Sequence, residues 1–244
     1  MMVRGFLCRY MQPNEYKVHH HQILCSALEQ FNADFLLENR IAFGGGTRIA
    51  LELSEYRESV DIDFLCPDKH SYRAVREQVM SNTFGSLVRR DFSYPREIMF
   101  GRDKVYTVID FNNTLIKVEI LNCDSYDLQV ETGSLFPVPY LSRESCFYTK
   151  LLANADRAKM PPYKDIIDLL MMYRCWGDIP ESSLDKARCH YGDIALKSLI
   201  SSLEHIQSHR KLYVDNAVTN LLVDRTLADD LFSDVLVRML QKYS

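Results

Sequence analysis

Phe43-Gly44-Gly45-Gly46-Thr47, followed ten residues on by Arg57-Glu58-Ser59-Val60-Asp61-Ile62-Asp63-Phe64, is the stretch that decides how this chain folds. Ile41 to Phe43 is a short apolar run stopped by glycines, as a strand entering a tight turn would be. Thr47 opens a helical pattern that lasts through Leu53. Val60 to Leu65 then alternates apolar and acidic residues, the period of a half-buried strand.

The same reading extends outward. Upstream, Ile23, Leu24, Ala27, Leu28, Phe31, Phe35 and Leu36 fall at helical spacing, so one helix is expected from His20 to Leu37. Downstream, Ser71 to Met80 is expected to be helical. Val105–Phe111 and Leu115–Leu121 are β-prone runs separated by Asn112-Asn113-Thr114, which predicts a hairpin. Gly133, Pro137 and Pro139 break the chain, and from Arg143 to Tyr243 it reads almost wholly helical. Pro161-Pro162, Gly177, Pro180 and Gly192 separate those helices. The expectation is an α/β (α+β) domain over residues 1–140 and a helical domain over residues 141–244.

Consecutive strand residues point to opposite faces, so Asp61 and Asp63 share one face while Val60, Ile62 and Phe64 take the other. Two carboxylates on one strand face repel each other and are costly to desolvate unless a cation sits between them. Mg²⁺ suits such a place, because it takes hard oxygen ligands and bridges carboxylates to phosphates. In phosphoryl and nucleotidyl transfer, paired ions activate the attacking oxygen and neutralise the leaving group. A third carboxylate is wanted on a neighbouring strand. Glu119 supplies one within Val118-Glu119-Ile120, on a face shared with Lys117 and Leu121. Asp61 and Asp63 are expected to hold a nucleotide-bound ion. Glu119 is expected to help hold a second ion and to deprotonate the acceptor hydroxyl.

The turn supplies the other half of the expected chemistry. Gly45 and Gly46 permit close backbone approach, amides at the head of the following helix can cradle a triphosphate, and Thr47 adds a hydroxyl. No Gly-Lys-Ser/Thr follows, so this is not a Walker loop. A glycine turn alone is often structural, and Asp-x-Asp alone says little. Both together, each attached to a strand, are far more specific.

These motifs resemble the nucleotidyltransferase superfamily that includes DNA polymerase β, and more narrowly the AbiEii/AbiGii-type nucleotidyltransferase toxins of bacterial type IV toxin–antitoxin and abortive-infection systems. The matching residues are Gly45-Gly46-Thr47, then Arg57, Ser59, Asp61 and Asp63, then Lys117-Val118-Glu119. A further block comprises Lys150, Arg157 and Lys164-Asp165-Ile166-Ile167-Asp168-Leu169. The resemblance implies a small mixed sheet with flanking helices and a helical domain that closes over the nucleotide. It also implies that Lys150 contacts the triphosphate and that Asp165 lies near the active site. An NTP substrate, two Mg²⁺ ions, an RNA acceptor such as the 3′ end of tRNA, and a possible antitoxin partner follow from it as well. Arg48 departs from the pattern, which has a small apolar residue after the threonine. Residues after about 175 carry no motif.

Lys150 and Arg157, seven apart, fall on one side of a helix, where they suit either a polyphosphate or pairing with Asp156 or Asp165. Asp165 could instead cap the helix beginning near Ile166. Arg57 and Ser59 are expected to support the turn and strand rather than react. His19-His20-His21 cannot all face one ion and is read as surface. Trp176, Tyr163, Tyr173 and Tyr191 are read as core before base-stacking groups.

The 244 residues, 47% hydrophobic and 25% charged, are ordinary for a globular protein with a sizeable core. No apolar run approaches the ~20 residues needed to span a bilayer. Met1 to Tyr10 lacks the sustained apolar stretch of a secretory signal. Seven cysteines (Cys8, Cys25, Cys66, Cys123, Cys146, Cys175 and Cys189), odd in number and without Cys-x-x-Cys, predict reduced and mostly buried thiols rather than disulfides or zinc. A cytoplasmic protein is expected. With a net charge of −4, any polyanion must be held by local charge, and Arg89, Arg90, Arg96, Arg102 and Lys104 form the densest basic segment. The other functional readings are transfer to a protein side chain or a small hydroxylated antibiotic, a retired enzyme that binds a partner, and a metal-dependent hydrolase.

Overall fold

The computed structural model describes residues 11–123 and 125–244. The Met1–Tyr10 segment and Cys8 lie outside the described residues. The chain forms two compact units. One comprises the described parts of residues 1–43, 60–126 and 130–140, and the other residues 44–59, 127–129 and 141–244. The glycine turn, expected in the α/β half, therefore clusters with the helical half.

The first unit is built on a mixed sheet of strands β1 (Ala42–Gly44), β2 (Asp61–Cys66), β3 (Met99–Phe100), β4 (Lys104–Phe111), β5 (Thr114–Asn122), β6 (Val130–Glu131) and β7 (Tyr140–Leu141). Their order is β3-β4-β5-β2-β1-β7-β6. β2 and β5 run parallel, as do β1 and β7, whereas β3, β4 and β5 form an antiparallel ladder. Asn112 and Asn113, with φ of 53° and 59°, make the two-residue hairpin turn between β4 and β5. Asparagine tolerates this left-handed pair, whose twist matches that of the strands. Flanking helices are α1 (His19–Leu28), α2 (Ala33–Glu38) and α4 (Lys69–Gln78). The single helix expected from His20 to Leu37 is thus two. The Asn32 side chain accepts from the Phe35 amide and starts α2 afresh, while Phe31 leaves the helix to bridge Val88. Phe31 then rests on Phe64 of β2, ring centroids 4.8 Å apart, in a core with Phe84 and Phe92. Phe43, Phe136 and Tyr140 extend that core under β1 and β7.

The second unit begins with α3 (Gly45–Glu52), which follows β1 directly, and continues from α5 (Arg143–Asp156) and α6 (Lys164–Trp176). After these come α7 (Glu181–Tyr191), α8 (Ile194–Ser208), α9 (Arg210–Leu221), α10 (Arg225–Asp230) and α11 (Leu236–Tyr243). Gly177 and Gly192, with φ of 96° and 58°, end α6 and α7, as the breakers predict. Phe147, Leu151, Leu169, Leu199, Tyr213 and Phe232 are buried in its core. Among the described residues no helix is long and apolar enough to cross a membrane.

Candidate active site

β2 alternates as its sequence requires: Ile62 and Phe64 are fully buried, while Asp61 and Asp63 are partly exposed on the other face. The parallel register with β5 sets Asp61 against Lys117 and Asp63 against Glu119. Residues in register on adjacent strands share a face, so Asp61, Asp63 and Glu119 stand on the same side of the sheet. Glu119 is tied by its two oxygens to Lys104 at 2.7 Å and Lys117 at 2.5 Å. Burial pushes its proton affinity up, but bonds from the two ammonium groups prevail and hold its carboxyl below the ordinary range. Burial likewise works against the Lys117 ammonium, and Glu119, with Asp61 and Asp63 behind it, raises the pKa of that lysine.

Among the described residues no group of three or more His, Cys, Asp or Glu side chains is gathered closely enough to enclose a metal ion. The donor chemistry nonetheless fits Mg²⁺. Three hard-oxygen carboxylates share one face, and the ammonium of Lys117 bonds one of them, Glu119, within the field of Asp61 and Asp63. Lys104 and Lys117 each bond one oxygen of Glu119, so a metal there would share those oxygens with the two ammonium groups or displace them.

The glycine turn has its own surroundings in the second unit. Gly45 has φ of 69°, a left-handed backbone that favours glycine. A Cβ on Gly46 would lie 2.1 Å from Nη2 of Arg57 and 3.4 Å from Oδ2 of Asp168. That guanidinium is pinned: its Nε and Nη2 donate to the two Asp168 oxygens at 2.7 and 3.0 Å, and its Nη1 donates to the Glu58 carbonyl at 2.9 Å. The Tyr56 hydroxyl also donates to Asp168. Lys150 from α5 reaches Asp168 at 2.6 Å and Asp165 at 2.9 Å, and Arg157 closes the chain on Asp165 at 2.7 Å. Asp165 and Asp168, three apart on α6, face these cations together. Burial disfavours the charge on Asp168, yet Arg57 and Lys150 hold its carboxyl far below the usual value. Nearby, the Thr47 and Ser59 hydroxyls are 2.8 Å apart.

Of the alternatives for Lys150 and Arg157, the structure therefore shows the pairing with Asp165. Lys150, which the resemblance puts on a triphosphate, is only 6% exposed and lies between two aspartates. Asp165 does not cap α6, whose N-cap is Tyr163. Arg48 is buried and paired with Glu52 at 2.6 Å, and its guanidinium lies over Trp176. The expectation of a surface histidine run is corrected at His21, which is fully buried on the inward side of α1. Cys25, Cys66, Cys123 and Cys146 are buried, and Cys175 and Cys189 are exposed. Tyr163 packs against Tyr213 and Trp176 against Phe147, each half-buried at the edge of the core. Tyr56 escaped the sequence reading, and Lys104, named there only within the basic segment, was not recognised as a partner of Glu119. For Lys104 a signal existed: a two-residue turn at Asn112-Asn113 fixes the hairpin register and sets Tyr106 against Glu119, with Lys104 two residues along on the same face.

Comparison with known proteins identifies the family and the fold. A family model described as the nucleotidyl transferase AbiEii toxin of type IV toxin–antitoxin systems matches residues 26–236. The fold is similar to that of a candidate nucleotidyltransferase from H. pylori, with 15% identity and a TM-score of 0.50 over 92% of this chain and 95% of that one. It is also similar to JHP933 from Helicobacter pylori, with 14% identity and a TM-score of 0.52 over 93% and 94% of the two chains. None of the curated proteins matches.

Proposed function

Because the chain belongs to the AbiEii nucleotidyl transferase toxin family of type IV toxin–antitoxin systems, we propose that it transfers a nucleoside monophosphate from an NTP to a hydroxyl of RNA, at the 3′ end of tRNA. In this reading a cognate antitoxin restrains it. The observation that carries the proposal is the register of β2 with β5, which puts Glu119 beside Asp63 on the face that Asp61 also occupies.

Each group then has a role. Asp61 and Asp63 would hold Mg²⁺ through carboxylate oxygens, and Glu119 would complete the donor set. Bound there, two such ions would supply positive charge to the α-phosphate, the acceptor hydroxyl and the departing pyrophosphate. Glu119 takes the acceptor proton only once its lysines have moved, because Lys104 and Lys117 keep its proton affinity down. Gly45, Gly46 and Thr47 receive phosphate oxygens through the amides at the head of α3 and the threonine hydroxyl. Lys150, Arg157 and Asp165 act through the turn. With Arg57 and Asp168 they form a cluster of three cations and two carboxylates whose excess positive charge lies behind Gly46.

The test is incubation with each α-labelled NTP and Mg²⁺ in the presence of tRNA, a protein mixture or an aminoglycoside. Label on RNA with release of pyrophosphate is the expected result. Label confined to protein or to the antibiotic rejects the RNA acceptor, and release of orthophosphate without transfer points to a hydrolase.

A further inference from the structure

The row of residues that begins with Asp63 does not end at Glu119. The antiparallel ladder sets Glu119 against Tyr106 of β4, and Tyr106 against Met99 of β3. Four strands in register thus carry Asp63, Glu119, Tyr106 and Met99 across one face of the sheet. Tyr106 is 40% exposed and Met99 52% exposed, whereas the opposite face of β4, at Val105 and Ile109, is fully buried. Large exposed apolar groups in register, contiguous with a polar site, call for an occupant. Lys104 joins the two halves of the row. Its ammonium bonds Glu119 at 2.7 Å and lies 4.9 Å from the centroid of the Tyr106 ring.

We propose that Tyr106 is the platform on which the base of the acceptor's terminal nucleoside stacks, with Lys104 meeting the adjoining phosphate. The proposal rests on the nucleotidyl-transfer reading and names a residue that sets its acceptor class. Adjacent strands are ~4.8 Å apart, so Tyr106 stands one such step beyond Glu119. That step matches the reach from a ribose 3′ hydroxyl to its own base: with the hydroxyl at the carboxylates, the base arrives over the ring. An aromatic ring with a lysine beside it is the pairing that sequence-tolerant binding of single strands uses. A serine or threonine acceptor would present its hydroxyl with no flat group obliged to extend along this row. Met99 widens the platform at the sheet edge.

The experiment compares the parent with Tyr106→Ala, Tyr106→Phe and Tyr106→Trp. Two readouts are taken: binding of a short single-stranded RNA, by fluorescence anisotropy without nucleotide or metal, and KM for RNA and for NTP in the transfer assay. Thermal unfolding shows which variants are folded. Tyr106→Ala is expected to weaken RNA binding and to raise KM for RNA by about tenfold or more, the loss of one stacked base. KM for NTP stays within about twofold, and the Phe and Trp variants stay close to the parent. RNA binding by Tyr106→Ala equal to the parent's overturns the proposal. So does a Phe variant as weak as the Ala variant, since that would point to the hydroxyl and not the ring. Absence of nucleotidyl transfer in the parent sinks the functional reading by itself, while the binding comparison still decides the role of Tyr106. Label appearing on protein, with Tyr106→Ala impairing that transfer, overturns the nucleic-acid assignment.

Discussion

A side chain at Gly46 finds no room. A methyl group there meets Arg57 at 2.1 Å, and the guanidinium cannot swing aside without breaking its paired bonds to Asp168. Gly46→Ala is therefore expected to cost about 1–3 kcal/mol, the range for overpacking a tight site, and urea unfolding would measure it. A cost near zero would mean that Arg57 is looser than its contacts indicate. Glu119 offers a second test. Its carboxyl lies below the ordinary value because Lys104 and Lys117 hold it, so its share of stability is present above the unfolded pKa. That share is lost as pH falls through the lower folded value. Lys117→Met removes one of the two partners. The Glu119 side-chain carbon followed by NMR should then titrate at higher pH than in the parent, towards the free value of about 4.3. An unchanged midpoint would show that Lys117 contributes nothing to that charge.

The helix α6 places Asp165 and Asp168 on one face, where α5 brings Lys150 and the turn segment brings Arg57. Removing one member of a buried ionic set leaves its partners uncompensated, so Asp168→Asn is expected to lose about 3–5 kcal/mol. Asp168 is depressed in the folded state. Its stabilisation is accordingly complete above the ordinary aspartate range and is lost as pH falls through the folded value. The asparagine variant should be weaker at neutral pH and should show a flatter decline on acidification, which denaturant midpoints taken from neutral to acidic pH would reveal. At this scale the sequence was informative where one period dominates. The alternation in Val60–Leu65 predicted the strand found at Asp61–Cys66, and Asn112-Asn113-Thr114 between two β-prone runs predicted the hairpin, whose turn is Asn112-Asn113 with Thr114 already in β5. It misled where a local bond overrode periodicity, as at Asn32, whose cap divides the helix expected from His20 to Leu37. It left open which partners tertiary structure would set, offering Asp165 to Lys150 and Arg157 only as one alternative and not foreseeing Asp168. Nothing in Lys150 or Asp168 alone says that they meet, because fifteen and more residues of turn and helix separate the groups that pair.

For the molecule as a whole, the net charge of −4 means that an RNA substrate must be drawn by local features and not by a general basic surface. Lys104 and Lys117 on the carboxylate face are such features in the first unit, and the cationic excess around Arg57, Lys150 and Arg157 is one in the second. Whatever the acceptor, the proposal requires that the carboxylates that β2 and β5 bring to one face perform metal-assisted nucleotidyl transfer. The most direct measurement is the rate of NMP incorporation by Asp63→Asn beside the parent, with thermal unfolding recorded on both. The variant removes one negative charge from a crowded face, so its unfolding temperature should equal or exceed the parent's. Incorporation should fall about 100-fold or more, equivalent to roughly 2.7 kcal/mol of lost barrier reduction. A folded Asp63→Asn protein that incorporates nucleotide at the parent's rate would contradict the claim.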